Sequence, residues 1–326
     1  MKVTIYDIAK EAQTSPSTVS RVLNSSSLIS DEKSQKILAA AKKLGYEKRS
    51  IRKQRGRAVL SIKLILGQLK NPKLPLIYSV SELIQGIKEG LPENQINIIC
   101  ETSSEPDVLF ANKKVGHIDA IIFAFTNVPK ATIRHLKKLH IPYLVLNRAP
   151  VDQDFIGFNN EAGMRKLTKA AIGKRQKPWP VFLEMNPLHE ITIERRQGFL
   201  MACEDESVDA PHIESLKDIS DINSELIKNF KAQGYNCIIC MNDIIASTFM
   251  VRALDEGCHF PEDFSLTGFD GSPIINILPR KLDTISLELT ELGHKSGEWV
   301  RRRVIAREKE LFQIRIDGKR LKGNTL

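Results

Sequence analysis

Only Gln13 and Thr14 separate a helical pattern that ends at Ala12 from Ser15, a residue suited to start another helix. Ile5, Ile8, Ala9 and Ala12 recur at helical spacing with Asp7 and Glu11 off the stripe, so residues 5–12 read as a short amphipathic helix. Ser15 is a good N-cap, and Pro16 fits the first helical position, where a missing N–H costs nothing. Val19, Val22 and Leu23 give the second helix its buried stripe, and Ser17, Thr18, Ser20, Arg21 and Asn24 cover its remaining surface with short or forked hydrogen-bonding groups. A third helix is expected from near Ser30, with Asp31 and Glu32 in its first turn, Ile37, Leu38, Ala41 and Leu44 inside, and a stop at Gly45. The tight joint between the first two helices is the geometry that lets a second helix enter the major groove while the first crosses the backbone. Periodicity alone equally fits a generic three-helix bundle with a solvated polar face.

Charge narrows the choice. Residues 1–60 hold thirteen Lys/Arg against five Asp/Glu, whereas the other 266 residues hold thirty-five against thirty-four. A basic segment on a near-neutral body implies a polyanion partner for the first part and a different partner for the second. Within the basic part, residues 1–46 carry only +3 and residues 47–60 carry +5.

From residue 60 onward, apolar runs alternate with helical patterns. Strands are expected at 60–66, 96–100, 120–125 and 143–146 with helices at 80–89 and 130–139. A second series has strands near 181–183, 237–241 and 265–269 with helices at 161–172, 193–205 and 243–256. Repeated βα alternation predicts an α/β fold with two parallel sheets, and two such lobes form a cleft with strand ends and helix N-termini at its mouth. No nucleotide-binding glycine pattern, phosphate loop, nucleophile elbow or paired His/carboxylate set marks catalysis, so a binding cleft is expected rather than an active site, with no cofactor and no metal. Cys237 and Cys240 have the spacing of half a zinc site but lie in an apolar, strand-like stretch, and the later Cys258-His259 pair is poorly spaced to complete it. With no apolar run of eighteen residues and no signal-peptide core at the N-terminus, a soluble cytoplasmic protein is expected.

The residues themselves go further. Thr4-Ile5-Tyr6-Asp7-Ile8-Ala9, the run from Ser15 to Asn24, and Ala39-Ala40-Ala41-Lys42-Lys43-Leu44-Gly45-Tyr46 closely resemble the headpiece of the lactose/galactose repressor (LacI/GalR) family. The resemblance places Pro16, Ser17 and Arg21 at base-reading positions, with the Arg21 fork suited to guanine O6/N7. It places Tyr6, Ser15, Thr18, Ser20 and Asn24 where phosphates are held. The family has Gly-Val before the capping serine; Gln13-Thr14 here puts a non-glycine in a left-handed turn, at about 1 kcal/mol.

The linker departs from the family. Where relatives carry a hinge helix with an apolar wedge, this chain has Arg49-Ser50-Ile51-Arg52-Lys53-Gln54-Arg55, arginine at all three marker positions. Two readings stand: Arg52 or Arg55 docks in a narrow A·T-rich minor groove by charge, or a flexible basic linker touches phosphates without specificity.

Farther on, Gln197-Gly198-Phe199, Met241-Asn242-Asp243, Pro261-Glu262-Asp263-Phe264-Ser265 and Gly268-Phe269-Asp270 resemble the family's effector domain, which is similar to periplasmic sugar-binding proteins. The resemblance implies a headpiece at 1–46, a hinge at 47–60 and a two-lobed effector and dimerisation domain at 61–326, its lobes roughly 61–159 with a C-terminal return and 160–289. It places Arg195, Asn242 and Asp270 at the ligand, with Asn147 and Asn159 standing where many relatives have aspartate. A guanidinium, an amide and a carboxylate suit adjacent hydroxyls. Asp270 as a helix cap, Asn242 as a turn brace and Arg195 in an ion pair are the structural alternatives. The segment Leu76-Ile77-Tyr78-Ser79-Val80-Ser81 matches the family's pocket entry poorly and yields no pocket residue. No heptad helix follows the strand-like residues 312–316, so a homodimer on a pseudo-palindromic operator is expected. The implied function is a sequence-specific repressor controlled by a small molecule, most simply a sugar. Alternatives are a non-sugar or protein effector, a solute-binding protein without gene control, and a sugar-processing enzyme.

Overall fold

A computed structural model describes residues 3–23, 29, 31–46, 52–54, 57–67, 78–102, 118–209 and 211–326. The chain divides into two compact units, Met1–Ala58 and Val59–Leu326.

The first unit holds α1 (Ile5–Glu11), α2 (Pro16–Leu23) and α3 (Asp31–Lys43). Asp7 anchors the start of α1 by accepting both the backbone N–H and the hydroxyl of Thr4 at 2.7 Å. Those bonds hold its carboxyl below the ordinary value. Ser15 caps α2 as expected, its Oγ accepting the Thr18 N–H at 3.1 Å. Between these helices Gln13 has φ 50°, the left-handed turn that a glycine would fill without strain. α3 ends with Gly45 at φ +66° and the Tyr46 N–H donated back to the Ala41 carbonyl. Ile8, Ala9, Ala12, Val19, Val22, Ile37, Ala40 and Ala41 form the core. Leu38, expected inside, is 52% exposed. The buried stripe of α3 runs Ile37, Ala40, Ala41, and Leu38 lies a further 100° around the helix.

In the linker, β1 (Arg52–Gln54) is a short strand, and β2 (Arg57–Leu66) already takes in residues 57–60 that the sequence assigned to the hinge.

The second unit continues with α4 (Val80–Glu89), β3 (Gln95–Glu101), β4 (Ala120–Ala124), α5 (Lys130–Leu139), β5 (Tyr143–Leu146) and β6 (Phe155–Phe158). Then follow α6 (Asn160–Ile172), β7 (Pro180–Met185), α7 (Glu190–Asp205), β8 (His212–Leu216), α8 (Ser224–Gln233), β9 (Cys237–Cys240), α9 (Asp243–Asp255), β10 (Ser265–Thr267) and β11 (Thr284–Ser286). The chain closes with α10 (Leu289–Val300), β12 (Gln313–Ile316) and β13 (Lys319–Leu321). Within this unit the first lobe has strands in the order β3-β2-β4-β5-β6-β12 and the second β10-β9-β7-β8, every pair parallel. β11 and β13 form a separate antiparallel pair. Strands β4, β6 and β9 are buried along their whole length, as parallel strands covered on both faces must be. Cys237 and Cys240 belong to that buried β9.

The chain passes between the sheets after Phe158, between Ser286 and Leu289, and after Ile316. The return helix α10 packs backbone to backbone on α4. A Cβ on Gly86 would lie 2.1 Å from the Thr290 oxygen, and one on Gly293 would lie 2.3 Å from the Leu83 oxygen. Gly86, Gly90, Gly293 and Gly297 therefore fix the C-terminal segment to the first lobe.

Candidate functional site

Two sites emerge, one in each unit. On the headpiece, Tyr6 is 69% exposed. At the start of α2 the hydroxyls of Ser17 and Thr18 lie 2.8 and 2.7 Å from that of Ser15. This hydroxyl cluster at a helix N-terminus is suited to phosphate oxygens. Pro16, Ser20 and Arg21 lie in the same helix. Arg52 lies in β1. Asn24, Arg49 and Arg55 lie outside the described residues, and with them most of the two hinge readings.

The second site is the cleft between the lobes. α7 places Arg195 inside, 2% exposed. Its Nε donates to Asn160 Oδ1 at 3.0 Å, Nη1 to the Met241 carbonyl at 2.7 Å and Nη2 to Asp270 Oδ1 at 2.7 Å. The guanidinium carbon stands 3.9 Å from the centre of the Phe269 ring. A guanidinium has five N–H groups, so three partners leave two donors. Asp270, just past β10, adopts φ 109°, and its backbone is tied to β11 and the chain beyond through Ile285 and Leu287. Burial raises its carboxyl, and Arg195 opposes that rise. Arg195 is thus an ion-pair partner, and a buried one, while Asp270 caps no helix. Asn242 is the N-cap of α9, its Oδ1 accepting the Ile245 N–H at 3.0 Å, so the helix-capping role falls to it.

From the first lobe, the end of β5 presents Asn147 at φ 56°, 1% exposed, its Oδ1 and Nδ2 without a well-formed hydrogen bond and approached by the Tyr78 phenol. An amide buried in that state loses free energy unless something else meets it. Positive φ at both Asn147 and Asp270 marks backbone strain held where the lobes meet. Asn147 borders a cavity of about 10 Å³, with room for one water, whose other walls include Arg148, Asn160, Glu190, Glu194 and Arg315. Asn159 points elsewhere, donating to Asp317 across two of the chain crossings.

Several cleft residues were not visible in the sequence. Tyr78 stacks on Phe125, ring centres 3.7 Å apart, close to Asn147, Arg195 and Asp270, and burial raises its phenol well above the ordinary value. An aromatic residue two positions before α4 was the only signal for it. Asn160, Glu194, Arg148 and Arg315 carried none, because their roles depend on partners brought together by the crossings. Asp243, beside the predicted Asn242, is wholly buried, accepting the Ser272 N–H at 2.7 Å and the Thr284 hydroxyl at 2.6 Å. Burial first, then the nearby Asp270, pushes its carboxyl up to about 8.

Residues 4–48 match the model of the bacterial regulatory proteins, lacI family, and residues 180–319 match a periplasmic binding protein-like domain. The chain is 28% identical over 309 residues to the ribose operon repressor of Bacillus subtilis, covering 90% of each chain. It is 24% identical over 320 residues to the transcriptional repressor PurR of Mannheimia succiniciproducens, covering 90% of this chain and 89% of that one. Among solved structures, a LacI family regulator from Enterococcus faecium with bound ribose superposes at TM-score 0.66 and 20% identity, covering 81% of this chain and 98% of that one. The Lac repressor superposes over the full length of both at TM-score 0.63 and 20% identity. A lacI-type DNA-binding headpiece thus precedes a periplasmic-binding-protein-like domain, the two parts of the lacI-type transcriptional regulators that the chain resembles over nearly its whole length.

Proposed function

We propose that this regulator is a cytoplasmic, non-enzymatic repressor that binds a pseudo-palindromic operator as a homodimer, its DNA affinity set by a sugar held between the lobes. Tyr6, Ser15, Pro16, Ser17, Thr18, Ser20, Arg21 and Asn24 meet the operator, with Arg49, Arg52 and Arg55 adding charge along the linker. Asn147, Arg195, Asn242 and Asp270 meet the effector. The observation that carries the reading is the convergence of polar groups from both lobes around the Tyr78 phenol: the Asn147 amide, which lacks a well-formed hydrogen bond, the Arg195 guanidinium with two donors left, and the Asp270 carboxylate. Hydroxyls, each both donor and acceptor, suit such a mixture. The names of the relatives make D-ribose the first sugar to try.

Two measurements test this. Gel shift on palindromic and random duplexes across a salt series reads the DNA half, and absence of any preference for the palindrome defeats it. Thermal shift against D-ribose, other sugars and sugar phosphates reads the effector half, since a ligand at about a hundred times its Kd adds about 2.7 kcal/mol. If no sugar raises the melting temperature, the sugar assignment fails while the DNA assignment stands.

A further inference from the structure

The floor of the cleft carries charges beyond those that the effector reading uses. Glu190 and Glu194 stand four residues apart in the first two turns of α7, hence on one face of that helix in the second lobe. Both border the narrow cavity, and so do Arg148 and Arg315 of the first lobe. Glu194 Oε1 accepts Arg315 Nη1 at 3.1 Å. Arg315 sits on β12 opposite Gly157 of β6, where no side chain competes for its space, and also donates to the Phe158 carbonyl. Arg148 donates to Asn127 and to the Asn147 carbonyl, both neutral, with Glu190 and Glu194 among the acidic groups around it.

The other oxygen of Glu194 turns inward. Oε2 accepts Asn160 Nδ2 at 2.9 Å, and the opposite end of that amide, Oδ1, accepts Arg195 Nε. One carboxylate therefore touches the first lobe through Arg315 and Arg195 through a single buried amide whose orientation both neighbours fix. We propose that Glu194 is a charge clasp between the lobes: it draws Arg315 across the cleft floor, biases the domain toward closure before any effector binds, and shares a hydrogen-bond chain with Arg195. Side-chain exposures of 41% for Arg315 and 24% for Glu194 make the pair salt-sensitive and modest, fit to bias a two-state element and not to lock it.

The inference goes beyond the effector assignment and is tested without effector or DNA. Donor and acceptor dyes are placed by Lys138→Cys on α5 and Lys174→Cys after α6, both exposed positions, in a Cys100→Ser background because Cys100 is the exposed cysteine. The full-length labelled chain is mixed with a large excess of unlabelled chain, so that transfer within one chain dominates. Glu194→Gln keeps an oxygen for Asn160 and removes the charge. Arg315→Gln removes the other partner at a site exposed enough that folding does not depend on it. Each variant is expected to lower the closed-to-open ratio by about two- to five-fold, the range of a partly exposed ion pair. The double variant is expected to open no further than either single one. Rising salt moves the wild type toward the variants and leaves them unchanged. Wild-type transfer in Arg315→Gln, additive opening in the double variant, or the same salt response in all chains overturns the clasp.

Discussion

The headpiece and the cleft domain both carry clusters of polar side chains, held by opposite means. In the headpiece Ser15, Ser17 and Thr18 bond to one another within three residues of chain, above a core built only of alanines and branched aliphatics. In the cleft, Arg195 and Asp270 are themselves interior and find their partners 35 to 75 residues away. The first surface can change its residues without disturbing what lies beneath. In the second, the bonds of Arg195 and Asp270 also hold the fold together, so any change at these positions must keep buried charges paired.

The sharpest way to break this comparison is to truncate one residue of each kind. Arg195→Ala leaves Asp270 buried without its partner and is expected to cost about 3–5 kcal/mol, along with any effector response. Ser17→Ala is expected to change stability by less than about 0.5 kcal/mol while weakening operator binding. Thermal unfolding of the two variants decides it: similar losses would mean that the headpiece surface is as structural as the cleft.

Titration separates the regions by sign. The ordinary aspartate value is 3.8, and folding raises Asp243 to about 8. Between these values the folded state holds a proton that the unfolded chain has released. The stabilisation from this group is complete below 3.8 and lost as pH rises toward about 8. Asp7 in the headpiece is shifted down by its bonds to Thr4, so its contribution is present above 3.8 and lost as pH falls through the lowered value. Asp243→Asn is therefore expected to gain on the wild type in melting temperature from about pH 5 to about pH 8, and Asp7→Asn to lose ground as pH rises out of the acid range. A pH-independent gap between wild type and Asp243→Asn would show that burial does not hold that proton.

What the sequence made legible follows the same division. Headpiece signals are local: a cap, a proline, a glycine stop and an apolar stripe sit within one or two turns, and the structure has all three helices where those signals place them. Only Leu38 was assigned to the wrong face, by taking two adjacent leucine-like positions, Ile37 and Leu38, as one stripe. In the cleft domain α4 and α5 matched to the residue because each has a one-sided stripe. α7 was expected to begin at residue 193, because with Thr192, Arg195, Gly198 and Phe199 all buried it shows no single apolar face, and its first turn with Glu190 was missed. β6, β8, α8 and α10 were missed too. α8 had readable ends, an Asn223 cap and a Gly234 stop, whereas α10 is recognised by its glycines, which mean nothing until α4 lies against them. Motif resemblance reached Arg195, Asn242 and Asp270, but it had no way to reach Glu194, whose contact with Arg315 spans 121 residues.

Asn147 is the exception that sharpens the comparison, a buried cleft residue whose side chain makes no well-formed hydrogen bond and is approached by the Tyr78 phenol. At φ 56° alanine would add strain, so glycine is the clean deletion. Asn147→Gly removes a poorly met buried amide whose desolvation costs up to about 1–3 kcal/mol, offset by the loss of its approach to Tyr78 and by the extra freedom of the unfolded glycine. The expected outcome is unchanged or slightly raised stability with a tenfold or greater loss of effector affinity, about 1.4 kcal/mol, in calorimetric titration. A clear loss of stability would mean that Asn147 braces the lobe and does not wait for a ligand.

The smallest expected effect lies in the headpiece turn. Gln13 occupies a left-handed conformation that L side chains resist by about 1 kcal/mol, and its side chain is exposed, so nothing packed is lost on removing it. Gln13→Gly lifts that strain but gives the unfolded chain more freedom, leaving a net gain of about 0.5 kcal/mol. Because the turn sets the angle between α1 and α2 and touches no base-reading position, operator affinity should stay within about two-fold of wild type. Unfolding followed by helix signal on the isolated segment is too marginal to rely on, so the gain is best read in the full chain by hydrogen exchange of the α2 amides. Slower exchange there, with the cleft domain unaffected, is the expected result. Faster exchange would mean that Gln13 supports the turn through its side chain, and that this headpiece has replaced the family's glycine with a contact of its own.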